Sequence, residues 1–493
     1  MNDRKFAEIS RREFIRRAAC AAVGTAAMTS AIRDLRFMNA AVAQSNITDY
    51  KALVCIFLQG GNDSNNLIIP TIPSEYNNYA AIRTPVLAIP QSAILPVTSL
   101  DGDGHTYGLH PSCPELQTLF GEGKLAFLFN TGTMVYPVTR AQYLAGLNKP
   151  PQLFSHADQQ TQWQTSVPDQ PPTTGWGGRC ADLLNAVQPN APISLMVSLA
   201  GANTFEVGNI ISQYSVSTSG AISLSMPGTP SGGANTNRLP TLMSILGLPY
   251  TNLQSQAYAG IAEHAINTGA LLNNAISNTV ATNYWSNSFP VKITPSEGGA
   301  AFTSSLSPQL QMIARLIAAG STAVANGGFG MKRQIFFCQV GGYDLHTGQT
   351  NYSAANPNNV LLGAHTNLLA ELSQSMFAFQ RAMEQLGLAK NVTSFTASDF
   401  GRTFPSNGQG SDHGWGSHHL ILGGAVNGQR TYGQFPALTV NGPNDTSTGR
   451  WIPTTAIDQY FATLATWFGV DPGNLSTVFP NLGRFPASNL GFV

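Results

Sequence analysis

Carboxylate and hydroxyl side chains recur together in four short polar segments of this chain, and two of the segments also contain imidazoles. The segments cover residues 59–66, 341–347, 398–403 and 411–419. Carboxylates and imidazoles in one place suit a divalent metal, and oxygen and nitrogen ligands fit zinc, manganese or iron better than calcium. Such an ion can hold an anionic substrate oxygen or lower the pKa of a water or hydroxyl nucleophile. The segments predict a metal-dependent site, provided that the fold brings them together.

Six short apolar runs predict buried strands, and four of them lie next to these segments. The runs cover residues 53–58, 125–129, 193–197, 334–340, 392–396 and 419–422. Ligands bind an open α/β sheet beyond the carboxyl ends of its strands, so the polar segments are expected to meet at one edge. There we expect Asp344 and His346 to lie near Asp399 and the pair Asp412 and His413.

Helical patterns alternate with the strands, notably over 308–325 and 361–386. This alternation predicts a doubly wound α/β fold with a mainly parallel sheet. Residues 201–300 are rich in Ser, Thr, Asn and Gly and are interpreted as a polar insertion or cap, with a helix over 254–275. We therefore expect one α/β domain over residues 44–493, with the insertion inside it.

Composition excludes some classes of function. The chain has 493 residues, and its 25 Lys and Arg balance 25 Asp and Glu, so no basic surplus is left to neutralise nucleic-acid phosphates. Hydrophobic residues make up 43% and charged residues 10%, which indicates a large core rather than disorder. Neither a phosphate-binding loop, nor a dinucleotide fingerprint, nor the serine elbow of α/β hydrolases is present.

The N-terminus has the pattern of an export signal. Residues 10–15 fit a twin-arginine consensus, a weakly apolar stretch covers 18–32, and residues 41–43 read Ala-Val-Ala, a small-x-small cleavage pattern. We expect residues 1–43 to be removed after passage through the twin-arginine translocase. No later run reaches the roughly 18 apolar residues of a membrane span. The mature chain is therefore expected in the periplasm or outside the cell.

Motifs along the chain resemble a known bacterial family. They are GGNDSNN at 60–66, GLHP at 108–111, SHAD at 155–158, GWGGR at 175–179, GYDLH at 342–346, SDFGRT at 398–403 and SDHGWG at 411–416. Together they resemble the family called domain of unknown function 1501. More distantly, the chain resembles the alkaline phosphatase and sulfatase superfamily, whose α/β enzymes bind one or two metals at the carboxyl edge of the sheet.

The distant resemblance implies roles for individual residues. By its motifs, Asp63 is a metal ligand after the first strand and Ser64 is the nucleophile, although the register also allows Gln59 as that ligand. The remaining implied ligands follow in chain order. They are Asp344, His346, Asp399 and His413.

The chain departs from the superfamily pattern at Phe400, which stands where a second ligand imidazole follows Asp399. One divalent metal per chain is therefore the better expectation than two. Arg402 is then a candidate to bind a phosphate or sulfate oxygen in place of the second cation. The alternative is that Arg402 pairs with Asp399 or Asp412 and only fixes the loop.

Three histidines outside these motif roles carry weaker predictions. His156 is interpreted as part of a polar loop within reach of the site, where a solvated or hydrogen-bonded histidine is more typical than a ligand. His418 and His419 are expected to point to opposite faces of a strand.

Two functions remain compatible with the sequence. The first is a secreted, metal-dependent hydrolase that acts on phosphate or sulfate esters, either small or carried on a polymer. The second is a catalytically weakened relative that binds an extracellular ligand or partner through the polar insertion. The motif ligands favour the first function, and Phe400 favours the second.

Overall fold

A computed structural model describes residues 47–493 except 172, 189, 222–237, 281–284, 286 and 287. The predicted signal segment 1–43 lies outside the described residues. Within them, no helix is both long enough and apolar enough to cross a membrane.

The described strands build one large mixed sheet and two small ones. The strands are β1 (Lys51–Leu58), β2 (Ile68–Pro70), β3 (Leu95–Val97), β4 (Tyr107–Leu109), β5 (Leu125–Gly132), β6 (Met196–Ser198), β7 (Tyr214–Ser217), β8 (Gly220–Ala221), β9 (Lys292–Ile293), β10 (Phe302–Thr303), β11 (Arg333–Val340), β12 (Val392–Ser398), β13 (Ser417–Gly423), β14 (Thr431–Tyr432) and β15 (Thr455–Ala456). The large sheet has the order β14-β5-β13-β12-β1-β11-β6-β7-β8, with β15 also on β5.

Most pairings in the large sheet are parallel, as predicted. Strand β1 lies parallel to both β11 and β12, and β11 lies parallel to β6. Strand β13 is antiparallel to its neighbours β12 and β5. It therefore begins at the edge where the parallel strands end, which brings the preceding loop 399–416 to that edge.

Helices cover both faces of the sheet, which confirms the doubly wound α/β class. They are α1 (Ser64–Leu67), α2 (Pro73–Leu87), α3 (Pro114–Gly121), α4 (Arg140–Leu144), α5 (His156–Thr165), α6 (Trp176–Leu184), α7 (Arg238–Leu246), α8 (Leu253–Thr279), α9 (Ser307–Ser321), α10 (Ala364–Gln385), α11 (Ile457–Phe468) and α12 (Leu475–Val478). Helices α8, α9 and α10 confirm the three long helical patterns of the sequence, with ends shifted by up to four residues.

Two hydrophobic cores lie on opposite faces of the sheet because successive strand residues alternate between them. In β1, Val54 and Ile56 belong to the core under α9 and α10, while Leu53 and Cys55 belong to the core under α6 and α11. The same alternation separates His418, whose ring packs on Phe129, from His419, whose ring packs on Trp163. The prediction of opposite faces is confirmed.

The described part of the predicted insertion extends one edge of the large sheet and packs on one of its faces. Strands β7 and β8 extend the sheet beyond β6. Residues Leu272 and Ile276 of α8 are buried in the core that α9 and α10 share.

Candidate metal centre

Two glycines shape the turn that follows β1. Gly60 and Gly61 have φ angles of 115° and 86°, a region that side chains other than glycine rarely adopt. A Cβ atom on Gly60 would lie 2.4 Å from the backbone nitrogen of Asp344, and one on Gly61 would lie 2.5 Å from the Phe400 ring. The two glycines therefore let the segments after β11 and β12 close onto the end of β1.

Asp399 is a fully buried acceptor at the end of β12. Its Oδ1 accepts the backbone N–H of Gly60 at 3.1 Å. Its Oδ2 accepts the Nε2–H of Gln160 at 2.9 Å and faces the Nδ1 of His156 at 2.6 Å. Both latter groups come from helix α5, so Asp399 joins that helix to the carboxyl edge of the sheet.

Three imidazoles meet at the carboxylate of Asp344. The Nε2 atoms of His346 and His413 lie 3.2 and 3.3 Å from its Oδ1, and the Nε2 of His156 lies 3.4 Å from its Oδ2. The Nε2 atoms of His346 and His413 are 2.9 Å apart. We call Asp344, His156, His346 and His413 the three-histidine cluster.

An oxygen acceptor faces the other ring nitrogen of each histidine in the cluster. The Nδ1 of His156 faces Asp399, that of His346 faces Asp412 at 2.9 Å, and that of His413 faces the carbonyl of Phe154 at 2.8 Å. Carboxylate and carbonyl oxygens only accept hydrogen bonds, so each Nδ1 carries the proton. In the neutral form, each Nε2 then presents a lone pair to the centre of the cluster.

The electrostatic surroundings favour a neutral His413 beside ionised aspartates. Burial lowers the pKa of His413, and the charge of Arg402 acts in the same direction. Burial opposes ionisation of Asp344, but the hydrogen bond and charge of Arg402 lower its pKa below the ordinary value. The pKa of Asp412 is also lowered, against its burial, by hydrogen bonds from Asn407 and His346. These protonation states are the ones that a metal requires of its ligands.

The donor set of the cluster fits a divalent cation. One ligand atom from each of His156, Asp344 and His413 lies within 4.8 Å of the others, and the Nε2 of His346 adjoins two of these residues. Ligand atoms around a tetrahedral zinc ion lie about 3.3 Å apart when the bonds are about 2.0–2.1 Å. Two nitrogen lone pairs that face each other at 2.9 Å, as in His346 and His413, need a cation or a proton between them. Metal-ligating histidines in general also bind a carboxylate or carbonyl through the second nitrogen, as all three do here.

Arg402 contacts the cluster from the buried side of Asp344. Its side chain is fully buried, and its Nη1 donates to Asp344 Oδ1 at 2.7 Å and to the carbonyl of Gly60 at 3.2 Å. Its Nη2 donates to the carbonyl of Ser411. This arrangement corresponds to the loop-fixing alternative, with Asp344 as the carboxylate partner instead of Asp399 or Asp412.

The structure does not bring Asp63 or Ser64 into the cluster. Asp63 is buried, forms an ion pair with Arg83 of α2 and accepts a hydrogen bond from Gln349. Although burial opposes ionisation, the charge of Arg83 lowers the pKa of Asp63. The buried hydroxyl of Ser64 accepts the backbone N–H of His418 at 2.9 Å. The position of neither residue supports the role that the superfamily resemblance implies.

Gln59, the alternative to Asp63, also has a different partner. Its Oε1 accepts a hydrogen bond from Gln339 at 2.5 Å. The implied ligands that the structure does assemble are therefore Asp344, His346 and His413, with Asp399 behind His156.

His156 is the member of the cluster to which the sequence interpretation gave the least weight, and its interpretation as a loop residue is wrong. It is the first residue of α5, and its ring lies 4.8 Å from Phe400 and 4.4 Å from His413, between ring centroids. The imidazole that Phe400 does not supply next to Asp399 thus comes from α5. The signal that could have found it is the SHAD motif at 155–158, where an imidazole directly follows a possible helix-capping serine.

Comparisons with known proteins give one strong match and several weak ones. A family model for a protein of unknown function, DUF1501, matches residues 50–475. No curated protein matches the chain. Among solved structures, the sulfatase PsFucS1 from Pseudoalteromonas sp. is 11% identical with a TM-score of 0.31, over 92% of this chain and 73% of that one.

Two further solved structures are similar at the same low level. The phosphonate monoester hydrolase SpPMH from Silicibacter pomeroyi is 8% identical with a TM-score of 0.31, over 85% of this chain and 74% of that one. The C-terminal periplasmic domain of EcEptC from Escherichia coli, in complex with zinc, is 11% identical with a TM-score of 0.29, over 78% of this chain and 75% of that one. The chemistry of this chain has to be inferred from its own side chains.

Proposed function

The chain belongs to the DUF1501 family of proteins of unknown function, and we propose that it is a metal-dependent hydrolase of phosphate or sulfate esters. One observation carries the proposal. Three Nε2 atoms converge on the carboxylate of Asp344 while an oxygen acceptor faces each Nδ1. Three imidazole nitrogens and a carboxylate that face one another at 2.9–3.4 Å are a donor set that a divalent cation can bind.

In this proposal Asp344, His156, His346 and His413 hold one zinc, manganese or iron ion. The bound cation would supply Lewis-acid polarisation of the ester and of a water molecule. Asp399, Asp412 and the Phe154 carbonyl keep the imidazoles in the tautomer that binds metal. Arg402 offsets the charge of Asp344 from the buried side. The side chains of Asp344 and His346 are 44% and 43% exposed, so an ester can reach the cluster from solvent.

Water is the nucleophile that the side chains favour. The Ser64 hydroxyl is buried and accepts the backbone N–H of His418, and among the described residues it has no hydrogen bond to a member of the cluster. The substrate is an anionic ester, either a small molecule or a group carried on a polymer. Nucleic acid is not expected, because the chain has no net positive charge.

The compartment is part of the proposal. The twin-arginine pattern at residues 10–15 favours export of the folded chain through the twin-arginine translocase, with removal of residues 1–43. The mature chain then acts in the periplasm or outside the cell.

Metal analysis of the mature chain purified after export tests the proposal. The wild-type protein is expected to contain about one zinc, manganese or iron ion and to hydrolyse a phosphate or sulfate monoester. His346→Ala and His413→Ala should each lose the ion and the activity. His105→Ala is the matched control, because His105 is partly exposed and pairs with Glu75 outside the cluster.

The absence of bound ion after incubation with excess zinc, manganese and iron would overturn the hydrolase proposal. It would favour the second candidate, a binding protein descended from a hydrolase. One observation favours that candidate: Phe400 stands where the superfamily resemblance implies a second ligand imidazole.

A further inference from the structure

A buried carboxylate organises the loop that borders His413. Asp445 is fully buried, and its Oδ1 accepts the backbone N–H groups of Ser447, Gly449 and Arg450 at 2.8–3.1 Å. Its Oδ2 accepts the N–H of Asn441 at 2.7 Å. Four backbone hydrogen bonds to one side chain fix the backbone from which the Arg450 side chain extends.

The Arg450 side chain is held against the residues that surround His413. Its Nε donates to the carbonyl of His413 at 2.7 Å, and its Cζ lies 4.2 Å from the centroid of the Phe154 ring. Phe154 has a φ of 71°, which is uncommon for a residue other than glycine, and its carbonyl faces the Nδ1 of His413. Backbone strain of this kind is concentrated at functional sites.

The two outer nitrogens of Arg450 are available to a ligand. Among the described residues, neither Nη1 nor Nη2 has a hydrogen-bond acceptor or a carboxylate partner, and the residue is only half-buried. Arg402 differs, since its side chain is fully buried and both of its outer nitrogens are engaged. Arg450 therefore has the free donors that Arg402 lacks.

We propose that Arg450 binds the anionic oxygens of the substrate's phosphate or sulfate group at the rim of the three-histidine cluster. This inference rests on the proposed function. The Nε of Arg450 donates to the backbone carbonyl of His413, and the Nε2 of the same histidine faces Asp344, so the guanidinium lies beside a residue of the cluster. A planar guanidinium binds two oxygens of a tetrahedral oxyanion in parallel, and phosphate and sulfate share that geometry.

The contacts of Arg450 prepare it for this role. The ring of Phe154 stabilises the guanidinium cation of Arg450 through a cation–π contact. A carboxylate in its place would neutralise the positive charge, but the ring leaves that charge available to an anion. Because Nε is already bound and the backbone is fixed by Asp445, less side-chain freedom is lost when an anion binds. Arg450 acts as a substrate-binding residue beside the cluster and is not a metal ligand.

The test compares Arg450→Gln and Arg450→Lys with wild-type full chain loaded with the metal found in it. Titration calorimetry measures the binding of inorganic phosphate and, separately, of sulfate, which distinguishes the two ester classes. Arg450→Gln is expected to lower the affinity for the preferred anion about 10- to 100-fold. The affinity of Arg450→Lys is expected to lie between those of wild type and Arg450→Gln, because lysine keeps the positive charge but cannot donate two parallel hydrogen bonds from a planar group. The KM for the matching ester should rise by a similar factor, with unchanged metal content.

Arg484→Gln is the matched control, since Arg484 also packs on an aromatic ring, Tyr136, but pairs with Asp169 elsewhere. It should leave anion affinity unchanged. If wild type is active and Arg450→Gln has the same anion affinity and the same KM, the role of Arg450 is overturned and the proposed function is left intact. Wild-type protein that binds an anion through Arg450 but neither binds metal nor hydrolyses esters would support Arg450 and overturn the hydrolase. Metal-loaded wild type that binds neither anion would overturn this inference.

Discussion

His156 donates its Nδ1–H to the buried carboxylate of Asp399 at 2.6 Å, although 243 residues separate them in the chain. Phe400, which directly follows Asp399, packs its ring against that of His156. The acid of one motif and the imidazole of another therefore form one orienting pair. This pair directs the Nε2 of His156 toward Asp344.

Asp399→Asn should weaken metal binding by about 10- to 100-fold without removing any ligand. Asp399 accepts N–H groups from Gly60, Gln160 and His156 with two oxygens, and asparagine offers only one acceptor. The orientation of His156 is then lost. Competition with a chelator, followed by metal analysis, measures the change. Asp158→Asn, two residues after His156 but exposed, is the control and should bind metal normally. Equal affinity in Asp399→Asn and wild type would show that Asp399 does not orient His156.

Ser64→Ala should keep hydrolytic activity within about twofold of wild type. Its hydroxyl accepts one backbone N–H, and loss of that hydrogen bond should lower the free energy of unfolding by about 1 kcal/mol. Steady-state kinetics on the best ester and denaturant unfolding measure the two effects. A drop in kcat by several orders of magnitude in folded protein would instead identify Ser64 as the nucleophile.

Asp63→Asn should destabilise the protein and leave its metal content unchanged. The substitution leaves the buried guanidinium of Arg83 without its charged partner, and breaking a buried ion pair costs about 3–5 kcal/mol. Urea unfolding measures the loss, and metal analysis of the folded variant measures the ion. If Asp63→Asn lost the ion while retaining its stability, Asp63 would be a ligand after all.

Glu206 should make stability fall as the pH rises. Burial raises the pKa of Glu206 to about 8, although Asn203 donates a hydrogen bond to it. Because the folded state holds the proton more tightly than the unfolded state, its contribution is complete below about pH 4 and is lost as the pH rises through about 8.

Glu206→Gln should therefore reduce the difference in unfolding free energy between pH 5 and pH 8, by an amount on the order of 3 kcal/mol. Denaturant unfolding at the two pH values measures it. Glu297→Gln, at a position that is not fully buried, should leave the difference unchanged. An identical pH dependence in Glu206→Gln and wild type would rule Glu206 out as its source.

Much of the fold can be read from local patterns in the sequence. Apolar runs predicted the central strands, helical spacing predicted α9 and α10, and the alternation of strand residues predicted the opposite directions of His418 and His419. These features depend on residues that are near each other in the chain, where burial alternates with a fixed period. Because the polar segments adjoin strands, the same patterns also placed Asp344, His346 and His413 at one edge.

Only the tertiary structure decided which partner each charged or polar group has. Asp63 follows a strand as a ligand would, but the arrival of Arg83 from α2 converts it into half of a buried ion pair. The partners of Asp399 and of Arg402 likewise come from other elements of the fold. Hydrophobic periodicity determines which face of an element is buried, but not which distant side chain meets a polar group there. That choice depends on how whole elements pack, and it separates the ligands of this cluster from the residues that support them.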